Sequence, residues 1–323
     1  MTGPIYVSRL LTDRAMAHLT ALGDSLGRGV RVGREEPPTR AELAAGLAGA
    51  DAAVLTLTER VDAELLAVAG PQLRIVANVA VGFDNIDLTA ARAAGVAVTN
   101  TPGVLDRASA DHTFALILAV TRRIAEGDRL IRSREPWVWG PRMLVGLDVS
   151  AGATLGILGY GRIGKAVARR ALAFDMRVLA MSRSATPGTV DDGVGFVDTE
   201  TLLADSDVVS VHTPLTPQTR HLIDAAALRA MKPGAYLINT ARGGVVDESA
   251  LVAALRDGHL RGAALDVYEG EPVVNPELLD APGLVLTPHT ASAGEATRDA
   301  MGKLAVDNVA AVLAGQPPLT PVG

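Results

Sequence analysis

The chain contains no cysteine, so disulfide staples, thiolate metal sites and a cysteine nucleophile are excluded together. A reducing, cytoplasmic setting fits that absence. Aromatic residues are scarce too, at 3% of a sequence that is 48% hydrophobic, so the core must be filled by Ala, Val and Leu in closely packed helices and strands. Long apolar runs are missing. The longest, Phe114–Val120, falls far short of the roughly 20 residues a membrane helix needs, and Met1 to Leu11 lacks the basic-then-apolar order of a secretion signal. Nor is there a surplus of positive charge: 30 Lys and Arg stand against 36 Asp and Glu, a formal net charge of −6. That balance offers no chain-wide attraction to nucleic acid or to an anionic membrane. The expectation is an intracellular protein, and 323 residues suggest two domains at about 100–200 residues each.

What is present is a regular rhythm. Short β-branched runs alternate with Ala-rich helical stretches through the first hundred residues: Ile5–Val7 then Asp13–Leu22, Val30–Val32 then Arg40–Leu47. Thr39 with Glu42 three residues on forms a capping box that opens the second helix, and Gly95 stands where a helix beginning near Leu88 should stop. Further strands are expected at Ala53–Thr56, Ile75–Asn78 and Val96–Thr99, which completes a five-stranded doubly wound unit. Thr101-Pro102-Gly103 punctuates the chain ahead of one long helix, expected over Leu105–Glu126. After a polar loop at 134–149, alternation restarts with six strand candidates: Thr154–Leu158, Arg177–Met181, Val208–Val211, Ala235–Asn239, Ala263–Asp266 and Val285–Thr287. The fold class is therefore α/β, with two doubly wound parallel-sheet domains. The last periodic segment, Ala296–Leu313, has no strand after it and is expected to return to the first domain. Residues 1–100 plus 291–323 would form one domain and 101–290 the other.

The second domain opens with a phosphate-loop pattern in its proper setting. The strand Leu155–Leu158 runs directly into Gly159-Tyr160-Gly161-Arg162-Ile163-Gly164 and then a helix. The first Gly permits the tight turn, the second lets backbone approach a pyrophosphate, and the third lets helix and strand pack closely. The helix N-terminus supplies unspent N–H donors and positive dipole. An acid about 20 residues on would bind the ribose hydroxyls of NAD. Here the second strand ends instead in Ser182-Arg183-Ser184, and a guanidinium flanked by hydroxyls suits the 2′-phosphate of NADP(H). NADP(H) is expected ahead of NAD(H), which stays open as the second cofactor.

Three further polar stretches fall at the C-terminal ends of expected strands, where open parallel sheets collect ligands. They are Asn239-Thr240-Ala241-Arg242-Gly243-Gly244, Asp266-Val267-Tyr268-Glu269-Gly270-Glu271-Pro272 and Thr287-Pro288-His289-Thr290-Ala291. With the early Val81-Gly82-Phe83-Asp84-Asn85-Ile86-Asp87, the glycine loop and His212-Thr213-Pro214-Leu215-Thr216, they make the chain resemble the D-isomer specific 2-hydroxyacid dehydrogenases, in particular the glyoxylate and hydroxypyruvate reductase branch. The intervals of 29 residues from Arg242 to Glu271 and 18 from Glu271 to His289 match that family's Arg, Glu, His set. The resemblance implies a flavodoxin-like substrate domain and a Rossmann dinucleotide-binding domain, with substrate held between them and closure on binding.

The chemistry asks for the same residue types. Reducing a 2-keto acid leaves negative charge on the carbonyl oxygen, which must be protonated. His289 suits the general acid, and Arg242 can bind the substrate carboxylate and polarise the carbonyl through its fork of donors. By the resemblance, Glu271 partners His289; Glu269 lies two residues away, and only the family interval selects between them. The resemblance also implies that Val81 and Gly82 N–H groups hold the substrate carboxylate, that Asp266 faces the nicotinamide carboxamide, and that His212, Thr213, Pro214, Thr240 and Ala241 line the cofactor. Leu57 and Trp139 are expected to shape the substrate pocket. Asp106 departs from the Thr common in relatives and Asp175 from a Gly. The two tryptophans, Trp137 and Trp139, sit in a loop; by the resemblance Trp139 reaches the neighbouring subunit's substrate pocket, with interface packing alone as the alternative, and either implies a homodimer through the Rossmann domain. His112, on the long helix, reads as a packed or capping residue. No metal site is expected, because the carboxylates and histidines lack clustered spacing. Two rivals remain: a short phosphoglycerate-type dehydrogenase, though the chain ends about ten residues after its last helix, and a non-enzymatic NAD(P) sensor on the same fold.

Overall fold

The computed structural model describes residues 2–323, which divide into two compact units, residues 2–105 with 293–323, and Asp106–Ser292. In the first, β1 (Ile5–Val7), α1 (Asp13–Ser25), β2 (Val30–Val32), α2 (Arg40–Leu47), β3 (Ala52–Leu55), α3 (Ala63–Ala69), β4 (Ile75–Asn78), α4 (Leu88–Ala93) and β5 (Ala97–Thr99) follow one another. All five strands pair in parallel in the order β2-β1-β3-β4-β5, the flavodoxin-like arrangement. The helices start where side chains can cap them. Thr39 and Glu42 form a reciprocal capping box on α2, Asp62 accepts the Leu65 N–H on α3, and Asp87 accepts the Ala90 N–H on α4. Gly95, at φ +70°, ends α4 in a conformation that costs glycine little. The final helix of the chain, Glu295–Leu313, packs against α1, β3 and β4 of this unit.

The second unit holds α5 (Asp106–Thr121), α6 (Ile124–Arg132), β6 (Thr154–Leu158), α7 (Arg162–Ala173), β7 (Arg177–Met181), β8 (Val190–Asp191), β9 (Val194–Phe196), α8 (Thr199–Asp205), β10 (Val208–Val211), α9 (Ala225–Ala230), β11 (Tyr236–Asn239), α10 (Glu248–Arg256), β12 (Gly262–Leu265), α11 (Pro276–Leu279) and β13 (Leu284–Leu286). Its sheet runs β8-β9-β7-β6-β10-β11-β12-β13, parallel except for β8. Strand alternation divides the core. Leu155 and Ile157 pack on one face with Phe114 and Ile117 of α5 and Val167 of α7, while Leu158 points to the other with Leu202 of α8 and Leu251 of α10. Both faces are covered, as a parallel sheet requires. The strand order reverses between β6 and β10, which creates the crevice at their C-terminal ends.

Two features differ from expectation. The single helix over Leu105–Glu126 is two helices, because the Leu147 N–H takes the Thr121 carbonyl at 2.9 Å and Arg123 turns left-handed at φ 53°. The sheet also has eight strands in place of six. The extra pair, β8 and β9, is a hairpin turning at Asp192-Gly193, both at positive φ (49° and 79°), and β9 extends the sheet beyond β7.

Candidate active site

The glycine loop leaves β6 and enters α7. Gly159 has φ +101°, and a methyl group there would sit 2.7 Å from the His212 carbonyl oxygen; one on Gly164 would sit 2.4 Å from the Gly159 oxygen. These two glycines are demanded by the fold itself. Gly161 is different. A methyl group on it would meet nothing within 4 Å, and as N-cap of α7 it gives no side-chain cap, so the first-turn N–H groups remain available. Beside the loop, the buried hydroxyl of Thr213 has no hydrogen-bond partner among the described residues. An open approach to a helix N-terminus next to an unspent hydroxyl fits a dinucleotide pyrophosphate. Tyr160 packs edge-on against Phe196 at 5.1 Å between ring centroids, with Lys165 over its ring, and Ile163 packs into the core while Arg162 is exposed.

At the end of β7, Ser182 and Ser184 hydroxyls lie 3.0 Å apart, and Arg183 is exposed with no carboxylate partner among the described residues. After β10, His212 donates its backbone N–H to Leu158 O at 2.7 Å and sets its Nε2 2.8 Å from Ser210 Oγ. Burial lowers its pKa to about 4, so the ring is neutral at physiological pH. Pro214 is exposed beside it. After β11, Asn239 accepts the Ala241 N–H and donates to Arg242 O, folding the loop back on the strand end. Thr113 Oγ1 gives its proton to Ser109 O at 2.7 Å, so the Thr240 hydroxyl 2.8 Å away is the donor to it.

The β11 and β12 loops are forced together. A methyl on Gly243 would lie 1.9 Å from the Tyr268 carbonyl carbon, so only glycine lets the backbone following Arg242 reach the segment carrying Glu271. Arg242 is half-buried, and its guanidinium donates to the Ala241 carbonyl at 2.7 Å. Glu271 uses both oxygens: Oε1 accepts the Tyr268 N–H at 2.8 Å and Oε2 lies 2.7 Å from His289 Nδ1. The carboxylate thereby orients the ring and leaves Nε2 as its second polar atom. Glu269 pairs with His221 at 2.7 Å and Arg220 at 3.1 Å, and its own N–H is held by the buried carboxylate of Glu248. Burial is the main reason the Glu248 carboxyl rises above its ordinary pKa.

His289 sits at φ 54° in a turn gathered onto Asp266. The Asp266 carboxylate, with no exposed surface, accepts the Thr287 hydroxyl at 2.6 Å and the Thr290 and Ala291 N–H groups at 2.8 Å each, and its backbone oxygen accepts the His289 N–H at 2.8 Å. Burial raises its pKa, but hydrogen bonds from His112, Thr287, Thr290 and Ala291 outweigh that and hold the carboxyl below its ordinary value. In this geometry Asp266 braces the turn that carries His289.

Two participants were given no part in the site by the sequence. The Tyr268 hydroxyl donates to Thr287 O at 2.9 Å while its N–H holds Glu271, and burial, then the charges of Asp266 and Glu271, push the phenol up to about 12 so that it remains a donor. His112 is the other. The one signal for the first was a tyrosine immediately before Glu269 in the second polar stretch; for the second, its place on the long helix gave only a packed or capping residue.

In the first unit, Val81 and Gly82 follow β4. Their carbonyls are pinned by Asn100 Nδ2 at 2.8 Å and Asn78 Nδ2 at 2.9 Å, whereas neither N–H has an acceptor among the described residues. Leu57 is half-exposed in the loop after β3. Trp137 and Trp139 lie exposed in the loop between α6 and β6, and Asp175, at φ 57°, forms a turn before β7.

The sequence model of the D-isomer specific 2-hydroxyacid dehydrogenase NAD-binding domain matches residues 114–291. The chain is 47% identical over 287 residues to the glyoxylate reductase of Thermococcus litoralis, covering 87% of this chain and 86% of that protein. Among solved structures, a protein of Thermus thermophilus superposes with a TM-score of 0.91 at 46% identity, over 99% of this chain and 100% of that one. An NADPH-dependent glyoxylate/hydroxypyruvate reductase from Sinorhizobium meliloti, solved with NADP and malonate, superposes with a TM-score of 0.84 at 33% identity, over 100% of this chain and 97% of that one.

Proposed function

The chain belongs to the D-isomer specific 2-hydroxyacid dehydrogenase family, and on that premise we propose that it is a glyoxylate and hydroxypyruvate reductase that prefers NADPH and gives the D-2-hydroxy acid. The observation that carries the proposal is the 2.7 Å contact between His289 Nδ1 and Glu271 Oε2, on a turn braced by a buried carboxylate, in a unit that also offers a dinucleotide cradle. When bound, the dinucleotide supplies the hydride. Gly159, Tyr160, Gly161, Arg162, Ile163 and Gly164 would hold its pyrophosphate, with Thr213, Pro214, Thr240, Ala241 and neutral His212 alongside. Arg183, with Ser182 and Ser184, would hold the 2′-phosphate.

The chain's own groups manage charge and protons. The Arg242 fork binds the substrate carboxylate and draws charge onto the carbonyl oxygen. His289 delivers its Nε2 proton to that oxygen as charge develops, and the Glu271 carboxylate on Nδ1 fixes the ring for that transfer. Unspent N–H groups at Val81 and Gly82 support their assignment to the substrate carboxylate, and Leu57 and Trp139 are assigned to the substrate's side chain. Self-association through the second unit belongs to the same proposal. It is supported by exposed apolar side chains close in sequence, Ile124 (57% exposed), Ile131 (58%), Trp137 (50%) and Trp139 (76%). A cytoplasmic setting accords with the cysteine-free composition.

The test is loss of absorbance at 340 nm with glyoxylate, hydroxypyruvate or pyruvate, each with NADPH and NADH. Turnover of the first two with higher kcat/KM for NADPH is expected. Tight cofactor binding without turnover of any keto acid would replace the proposal with a cofactor sensor, and equal efficiency with both cofactors would remove the role given to Arg183.

A further inference from the structure

His112 projects from α5, a helix that packs across β11, β12 and β13. Its Nε2 lies 3.1 Å from Thr287 Oγ1 and 3.3 Å from Asp266 Oδ1. The proton inventory settles which way these contacts run. A hydroxyl has one proton, and that of Thr287 is committed to Asp266 Oδ1 at 2.6 Å. Toward His112 both oxygens can therefore only accept, so Nε2 carries the hydrogen and shares it between them.

The turn under this contact is unusual. His289 adopts φ 54°, a region that disfavours a side chain with a Cβ, and it remains there because Asp266 takes the Thr290 and Ala291 N–H groups on its carboxylate and the His289 N–H on its backbone oxygen. Asp266 Oδ1 accepts from both Thr287 and Thr290, and the carboxylate has no exposure to water. Among the described residues, His112 is the only ring or cation that contacts that carboxylate, and the only contact from outside the strand ends and turn themselves. The next residue, Thr113, bonds the Thr240 hydroxyl at the end of β11, so consecutive side chains of α5 reach two of the loops that carry the proposed chemistry.

We propose that His112 is a positioning residue: its Nε2–H, shared between Thr287 Oγ1 and Asp266 Oδ1, ties α5 to the 287–291 turn and holds His289 in the conformation that presents its Nε2 to substrate. The proposal rests on the reading of His289 as proton donor. It predicts that the apolar substitution His112→Leu loosens the turn, while His112→Gln, whose amide nitrogen can donate to the same oxygens, restores it.

Two readouts keep its failure separate from failure of the functional reading. Amide hydrogen exchange at Thr290 and Ala291 requires no substrate: exchange about tenfold faster than wild type in His112→Leu and near wild type in His112→Gln is expected. In the NADPH-linked glyoxylate assay, kcat of His112→Leu should fall about tenfold, equivalent to about 1.4 kcal/mol, with the NADPH Kd from fluorescence titration within twofold of wild type and His112→Gln within threefold in kcat. Unchanged exchange in His112→Leu, or a glutamine variant as impaired as the leucine one in both readouts, overturns the positioning role. Absence of keto-acid turnover in the wild type overturns the functional reading and leaves the exchange result to decide the role of His112 in the turn.

Discussion

The three glycines of the loop after β6 allow cofactor binding and folding to be separated by single methyl groups. Gly161 has φ −83° and ψ −162°, extended backbone that alanine also adopts, and the added methyl faces open space. The structural cost of Gly161→Ala is then the weaker N-cap, about 0.5–1 kcal/mol, or a Tm decrease of about 1–4 °C for a unit of this size. The same methyl occupies the approach to the helix N-terminus. Holding a pyrophosphate away from two N–H donors forfeits charge-assisted hydrogen bonds of about 1.5–3 kcal/mol each. Even half of the two-bond total, about 1.5–3 kcal/mol, weakens NADPH binding by about 10- to 10²-fold. Gly164→Ala should behave in the opposite way, because its methyl would collide with the Gly159 carbonyl at 2.4 Å and destabilise the fold by about 1–3 kcal/mol whether or not cofactor is present. Differential scanning fluorimetry without ligand and fluorescence titration with NADPH read the two effects separately. A Gly161→Ala protein that binds NADPH like wild type, or melts as early as Gly164→Ala, would refute the placement of the pyrophosphate.

Three further outcomes follow from the same geometry. Asp266→Asn should cost about 3 kcal/mol of unfolding free energy, because the amide loses the charge on the hydrogen bonds from His112, Thr287, Thr290 and Ala291 and turns an N–H toward a buried donor; denaturant titration at neutral pH measures it, and a loss below about 1 kcal/mol would contradict the bracing role. Arg183→Asp should reverse the cofactor order, raising KM for NADPH at least tenfold while leaving NADH usable; unchanged discrimination would show that the 2′-phosphate lies elsewhere. His212, with its pKa depressed from 6.5 to about 4, binds protons more readily in the unfolded chain, so stability is fully present above pH 6.5 and is lost as pH falls toward 4. The loss is at most about 2 kcal/mol between pH 7.5 and pH 5, since one edge of the residue keeps some exposure. His212→Gln should flatten the slope of stability against pH by that amount, and an identical slope in both proteins would argue against a buried neutral ring.

Much of the architecture was legible because local signals and burial agree. Helix α2 spans Arg40–Leu47, as read from its capping box, and β4, β6, β7 and β10 match their predicted bounds because continuous apolar runs end abruptly at turns. The break after Thr121 was not legible, since the amide that takes its carbonyl belongs to Leu147. The hairpin at β8 and β9 left a signal, Asp192-Gly193, that its short flanking strands obscured. At the site, residue types and intervals singled out Arg242, Glu271 and His289, but residue types alone could not separate Glu271 from Glu269. The fold distinguishes them by partner: Glu271 meets His289, whereas Glu269 meets His221 and Arg220. Tyr268, His112 and the bracing geometry of Asp266 depend on contacts among segments distant in the chain, and no local pattern encodes them.

The most direct test of the account is His289→Ala, assayed with glyoxylate and NADPH beside a fluorescence measurement of NADPH affinity. Proton transfer by a placed imidazole contributes on the order of 10²–10⁴ in rate, so kcat should fall by at least 10²-fold while the NADPH Kd stays within about twofold. A variant that still turns over at near-wild-type kcat would contradict the assignment of the proton donor and, with it, the chemistry built around the 2.7 Å pair of His289 and Glu271.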